Sequence, residues 1–574
     1  MTLKRQMKNP IDGHRIFLMV ILCLFGLSLV ASRQKPRKKQ STSDQRVYLL
    51  HADQLSYDRY GRLPDAQILK GNVSFRHKGA ILTCDSAYFF ETSNSFEAFG
   101  HVKLRQGDTL TLIGDYAHYD GNEQMVRVRR NVVLTHRATK LFTDSLDYDR
   151  LYNLGYFFEG GKMIDKNNVL TSDWGEYHTD TRQSMFQYDV HLKNKKFLMN
   201  TDTLYYDTYT KIAHAVGPST ITSGKTVIKT EDGYYDTNKE RARLFARSTL
   251  VNKQKEITAD SLFHNDKTGI SEGFSNVVYK DRENKNQMYC DYFWYNEKTG
   301  KAIATKRAML VDCSQKDTLY MHADSMKMYT YNIDTDSVWR KIHCFDKVRI
   351  YRRDMQAVCD SLVYDTKDSL MVMYKDPIAW SDNRQMLGER IDIYMNDSTV
   401  DSVHIVGQAL SVEQVDKEDH YNQIASKEMK GYFQNGEICR TVAKGNVQCT
   451  FYPLEKDSSL SVVNYMETDE MRMFMKDRKL DKIWTPKVEG TWYPLIQIPP
   501  AVQRLNNFAW FEDIRPKSKE DIFVWRGKAA GMEMKKQKRH SAPLQKISDL
   551  VDGKGNGVSL NPSGGPIVET DKPE

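Results

Sequence analysis

The sequence is poor in the residue patterns from which enzymes and metal centres are built. Its 15 histidines are scattered over 574 residues without one His-x-x-x-His pair, and neither a nucleophile elbow nor a phosphate-binding loop occurs. Eight cysteines include no Cys-x-x-Cys, so a zinc site and a disulfide framework are both excluded as expectations. Asp334-Thr335-Asp336 and the stretch Asp552 to Gly557 lack the remaining ligands of a calcium loop. No cofactor, metal or catalytic group is expected. Proline is sparse at 15, and the mean hydropathy of −0.62 is too polar for a chain living in a bilayer. The formal charge of +8 sits at the two ends, leaving residues 40–525 near neutrality. That removes the basic face a nucleic acid would need.

At the N-terminus, Lys4, Arg5, Lys8 and Arg15 precede an apolar run from Ile16 to Ala31. This is the pattern of an export signal, with Ala31 or Ser32 as the cleavage point. The basic residues Arg33 to Lys39 that follow fit a retained membrane anchor instead, so residues 1–32 are read as signal peptide or N-terminal anchor. Cys23 lacks the small residues before it that lipidation needs. Residues 33–46 form a basic linker, and the protein is expected to be exported.

What is abundant is repetition. Acidic anchors recur at Asp53, Asp85, Asp115, Asp144, Asp173, Asp202, Glu231, Asp260, Asp291, Asp324, Asp360, Glu389, Glu428 and Asp469, with five consecutive intervals of 29 residues. A regular period of this length marks a stacked repeat. Three residues before each anchor the side chain is apolar, from Leu50 and Leu82 to Met288, Met386 and Met466. One before it the residue is small, Lys427 excepted, and Cys84, Cys290 and Cys359 fill that slot as buried spacers. Four after it stands an aromatic or apolar residue, most often Tyr, with His264 the exception. Fourteen copies of one acid cannot each be an active site, so they are read as corner or turn structure.

Positions −3 and −1 share one strand face, while +2 and +4 share the other, and both sets are apolar. A straight strand would expose one set. A one-residue slip at the anchor, a bulge or corner, keeps both inside as the chain passes between facing sheets. Some 17–20 residues on comes a second strand signal, as in Gly71-Asn72-Val73, Gly100-His101-Val102 and Gly445-Asn446-Val447. The fold expected is all-β: an extended open β-jellyroll or β-solenoid of bent antiparallel strands in two facing sheets, spanning residues 47–495. About 28 strands at roughly 4.8 Å would make a rod of order 130 Å. Four tryptophans and Pro499-Pro500 suggest a packed C-terminal cap over 496–528. Residues 529–574 read as a disordered tail.

The segments Asp144 to Asp149, Asp202 to Asp207 and Asp360 to Asp365, with the Gly-Asn-Val strands, resemble the OstA-like (organic solvent tolerance) family of periplasmic lipopolysaccharide-transport proteins. The resemblance implies a jellyroll open along one side, whose interior shields lipid acyl chains. It further implies edge strands that pair with inner- and outer-membrane partners to build a bridge, without catalysis. The chain has many more repeats than a short bridge protein, and one molecule is expected to cover the distance that short relatives cover by assembly.

Val73, Phe75, Leu82, Val102, Leu104, Leu112, Val132 and Leu134 form the apolar seam, read either as packed core or as a lipid-lining groove. Two functions stay open: a lipopolysaccharide-binding transport bridge, or a secreted or cell-surface structural or adhesive β-repeat without cargo. An outer-membrane barrel is disfavoured by the charged second face and polar end.

Overall fold

The computed structural model describes residues 45–527, apart from 58, 62, 315–316, 334, 336, 397–399, 417, 435–436, 456–458 and 477–478. The signal or anchor, all but the last two residues of the basic linker and the tail from 529 therefore lie outside the described residues. Among the described residues no helix is long and apolar enough to cross a membrane. The architecture is antiparallel β almost throughout, in two compact units: one of residues up to 253 with 258–267, the other of 254–257 with 268 onward.

In the first unit the strands Gln67–His77, Ala80–Phe90, Ser95–Gln106, Leu110–Asp120, Met125–His136 and Thr139–Asp149 pair each with the next. Their burial shows why they bend. In Ala80–Phe90 the buried residues are Ala80, Leu82 and Cys84, then Ala87 and Phe89, so the dry face changes parity at Asp85. The expected slip at the anchor is therefore present, but half of the corner lies elsewhere. The neighbouring strand carries the extra residue: Phe99 faces Tyr116 and Val102 faces Gly114, three steps against two. Gly100 and His101 make that bulge with φ of 72° and 42°. The same left-handed pair recurs at Gly71-Asn72, Arg130-Asn131, Ser275-Asn276, Asp346-Lys347 and Gly445-Asn446.

Consecutive left-handed residues are costly for anything but glycine. The anchors offset that cost. Asp53 accepts a hydrogen bond from Asn72 Nδ2 at 3.0 Å, and Asp115 accepts one from Asn131 Nδ2 at 2.7 Å. Asp85 pairs with His101 at 2.8 Å, Asp324 with Lys347 at 3.0 Å and Asp360 with Lys375 at 2.7 Å. Asp260 holds Arg247 at 2.6 Å. Each acid thus clamps the outside of a corner. A Cβ on Gly100 would stand 2.4 Å from Asp85 Oδ2, and one on Gly71 2.2 Å from Asp53 Oδ2. Gly100→Ala combines this clash with a positive φ and is expected to cost about 1–3 kcal/mol, read as a lowered denaturation midpoint. An unchanged midpoint would show that the corner does not need glycine.

Beyond the corner the two arms of each strand face each other across the core. Phe75 stacks on Phe96 with centroids 4.1 Å apart, and Phe96 on Tyr119 at 5.1 Å. In the second unit the strands are longer, reaching 15 residues in Val400–Gln414, Glu437–Phe451 and Val462–Lys476. The segment from Pro499 to Trp525, within the cap expected over residues 496–528, forms a strap packed against the side of that unit's sheet. It runs back over strands in reverse order. Thr450 Oγ1 donates to Val502 O at 2.8 Å, and Gln423 brackets Gln503 O and Leu505 N at 2.8 and 3.0 Å. Gln385 brackets Ala509 O and Phe511 N at 2.8 and 2.7 Å, and Gln356 accepts from Arg515 Nε at 2.7 Å. Leu505 and Phe511 fill an apolar cluster with Val358, Trp380, Leu387 and Val412.

Candidate functional site

The sheet interior is where a ligand could enter, and its contents differ between the units. In the first, the +4 tyrosines reach across the mouth between the two arms, on the side away from the corner. Tyr119 OH bonds His77 Nδ1 at 2.6 Å and accepts from Arg150 Nη1 at 2.6 Å; Tyr177 OH meets His136 at 2.8 Å. Tyr206 OH donates to Asp165 at 2.8 Å, and Tyr235 OH to Asp266 at 3.0 Å. His264, the exception at +4, meets the same Asp266 at 3.1 Å. Where that slot holds a tyrosine, its polar tip ties one arm to the other. Burial raises the hydroxyl pKa of Tyr119, Tyr177, Tyr206 and Tyr235, so all four stay protonated at neutral pH.

The eight seam residues lie behind this lacing. Val73, Phe75, Leu82, Val102, Leu104, Leu112, Val132 and Leu134 are each 0–2% exposed. The void that Phe75, Leu82 and Leu104 border, with His77, Phe96 and Tyr119, measures only about 10 Å³, room for about one water molecule and far too little for an acyl chain. The anchors Asp53, Asp85, Asp115, Asp144, Asp173 and Asp202 are exposed, and Asp260, Asp291 and Asp360 are half-buried. Together with the exposed Asp324 they stand at the corners, away from the interior.

The second unit holds real space. One cavity of about 550 Å³ lies inside its roll, lined by Met386, Ile405, Ile424, Met429, Phe433 and Met473 among others. Another, of about 420 Å³, lies among Met288, Phe293, Leu310, Met326 and Tyr364, with Asn286, Asp312 and Arg340 around it. Both fall in the roughly 300–1,000 Å³ range of ligand pockets. Methionine, whose unbranched thioether adapts to irregular shapes, recurs in both. None of these residues was proposed as a site from sequence, although Met288 and Met386 stand in the apolar −3 slot. The available signal was the −3 position itself, where leucine heads the early repeats and Met288, Met321, Met386 and Met466 head later ones.

Four buried thiols are held away from reactivity. Burial pushes Cys84, Cys290, Cys344 and Cys449 up to about 12, far from thiolate formation. Asp416, Glu418 and His420 bring ligand atoms within 4.8 Å of one another, a grouping no sequence motif announced. Its shortest contact, His420 Nδ1 to Asp416 at 2.6 Å, is an ordinary turn hydrogen bond.

One titratable group couples the strap to pH. His322 is 5% exposed, bonded through Nδ1 to Ala308 O at 2.7 Å and packed on Phe523. Burial, with Arg349 and Arg307 nearby and Asp324 opposing, lowers it to about 4. Because the folded pKa lies below the ordinary 6.5, the unfolded chain binds the proton first. Stability is full above pH 6.5 and falls as pH drops from there to about 4, by roughly 3 kcal/mol in all. His322→Gln should flatten that part of the stability–pH curve. An identical acid limb in the variant would assign the loss to other groups.

Comparison with known proteins adds a partial likeness. Among curated proteins none matches the sequence. The crystal structure of LptH, the LptA homologous periplasmic component of the conserved lipopolysaccharide transport device from Pseudomonas aeruginosa, is similar at 16% identity. That match covers 19% of this chain and 81% of LptH, with a TM-score of 0.17. Residues 44–202 match the OstA-like proteins. The match is to that segment, where this chain is similar to the OstA-like proteins.

Proposed function

We propose that this protein is a non-catalytic, periplasmic lipopolysaccharide-binding bridge that shelters acyl chains inside its β-roll during outer-membrane assembly. The observation that carries the reading is the methionine- and isoleucine-lined cavity of about 550 Å³ between the arms of the second unit. Each methylene buried there contributes about 0.8 kcal/mol, so holding an acyl chain needs no reactive group. OstA-like kinship supports the choice of glycolipid as cargo.

The ends support a bridging role. Tyr48–His51 and Gln54–Tyr57 pair with Gln67–His77 and, among the described residues, with no further strand. Leu50, Leu55 and Tyr57 are exposed there. At the other end Lys479–Trp484 and Val488–Pro494 pair only with Val462–Lys476, again among the described residues. Open edges of this kind recruit further strands, and the partners proposed are the inner- and outer-membrane transport proteins.

The test is native mass spectrometry of protein extracted in mild detergent, beside Ile405→Trp and Met429→Trp, which fill the cavity. The wild type is expected to carry glycolipid, and the variants several-fold less. Finding no glycolipid on the wild type, with surface lipopolysaccharide unchanged on depletion, would leave the cargo-free structural reading in its place.

A further inference from the structure

We propose that a lysine-lined pocket at the laced mouth of the first unit binds a phosphate-bearing anion, either the head group of a lipid or a free phosphate. The pocket measures about 310 Å³. Turns from both arms converge on it. Residues 165–168 and 194–196 come from one side, and Lys211, Thr237, Asn238, Glu240 and Lys267 from the other. Five lysines line it: Lys166, Lys195, Lys196, Lys211 and Lys267.

Only two carboxylates share the space, and both are taken. Asp165 is paired with Lys211 in the floor, where the two side chains are 1% and 9% exposed. Glu240 is held by Lys196 at 2.5 Å and approached by Lys267 at 3.6 Å. Among the described residues Lys166 and Lys195 have no carboxylate within ion-pair distance, so the mouth carries uncompensated positive charge. The floor is fixed rather than fluid. Asn168 Nδ2 donates to Tyr206 OH and to Thr237 Oγ1, each at 2.9 Å, and Asn194 Nδ2 donates to Asn168 Oδ1 at 3.2 Å.

Solvated surface lysines ordinarily spread apart, because like charges repel. Here sequence-distant turns bring five of them to one hollow, whose low-dielectric walls focus their field. An anion with several oxygens would relieve that repulsion and accept charge-assisted hydrogen bonds from more than one ammonium group. A single-charge anion would satisfy fewer of them. Phosphate and pyrophosphate groups fit the charge and the space.

Isothermal titration of the full chain with inorganic pyrophosphate tests the site without reference to acyl binding. The partner measurement is flotation with phosphatidylcholine vesicles with and without phosphatidic acid. The test variant is Lys166→Gln/Lys195→Gln/Lys196→Gln, all exposed positions, with Lys225→Gln/Lys229→Gln as a control outside the pocket. The wild type and control should bind pyrophosphate and lose affinity with rising salt, and the triple variant should bind about tenfold or more weakly at an unchanged melting point. Flotation on phosphatidic acid as well would assign the anion to a lipid head group, and pyrophosphate binding alone to a free phosphate. No pyrophosphate binding by the wild type, or equal binding by the triple variant, overturns the site while leaving the second unit's cavity reading intact.

Discussion

Gln385→Ala is expected to cost about 3–5 kcal/mol, more than most single polar substitutions. The side chain is fully buried and serves three groups at once. Its Nε2 donates to Ala509 O, while its Oε1 accepts from Phe511 N at 2.7 Å and from Trp380 Nε1 at 3.2 Å. Removing it leaves a half-buried carbonyl and two buried N–H donors without that partner, each worth about 1–3 kcal/mol and not fully additive. Gln423 repeats the arrangement six residues back along the strap, bracketing Gln503 O and Leu505 N. Gln423→Ala should therefore act in the same direction. Lys140→Ala, at the matching −4 position of an early repeat where the side chain faces solvent, should stay within about 0.5 kcal/mol. Urea denaturation gives the energies, and limited proteolysis reads release of Pro499–Trp525. If both glutamine variants resist protease and unfold like the wild type, the strap is not held by its glutamines.

That result would also mark a limit of what the sequence displays. Gln385 looks like the wet member of an alternating strand, just as Lys140 does. Nothing local distinguishes a glutamine facing water from one facing a returning segment more than eighty residues away. The period and the parity slip were legible because both are written in consecutive side chains. The corner was only half legible. Asp85 and Gly100-His101 each stood out, but their contact crosses two strands, and only the fold shows that the acid clamps a left-handed pair. The interior was legible as apolar and no further. Leu82 and Met386 occupy the same −3 slot, yet one sits against a void of about 10 Å³ and the other beside one of about 550 Å³. The difference lies in the facing side chains: Phe75 and Phe96 close the space in the first unit, whereas flexible methionines and isoleucines border it in the second.

The closed mouth of the first unit leads to the other large effect. Asp165→Ala should destabilise the protein by about 3–5 kcal/mol, because it leaves the Lys211 ammonium buried without its partner. Lys211 is 9% exposed at the side chain, so water cannot easily replace the lost carboxylate. The same substitution removes the acceptor of Tyr206 OH at 2.8 Å, one of the ties between the arms. A buried ion pair is weak support for stability, since taking two charges out of water offsets most of their attraction. The double variant Asp165→Ala/Lys211→Met should therefore recover most of what the single one loses. That pattern, a severe single variant rescued by removing its partner, separates an uncompensated charge from simple loss of packing. If the double variant is as unstable as the single, or worse, the loss comes from the hole left beside Tyr206 and Asn168. The lacing would then depend on shape rather than charge.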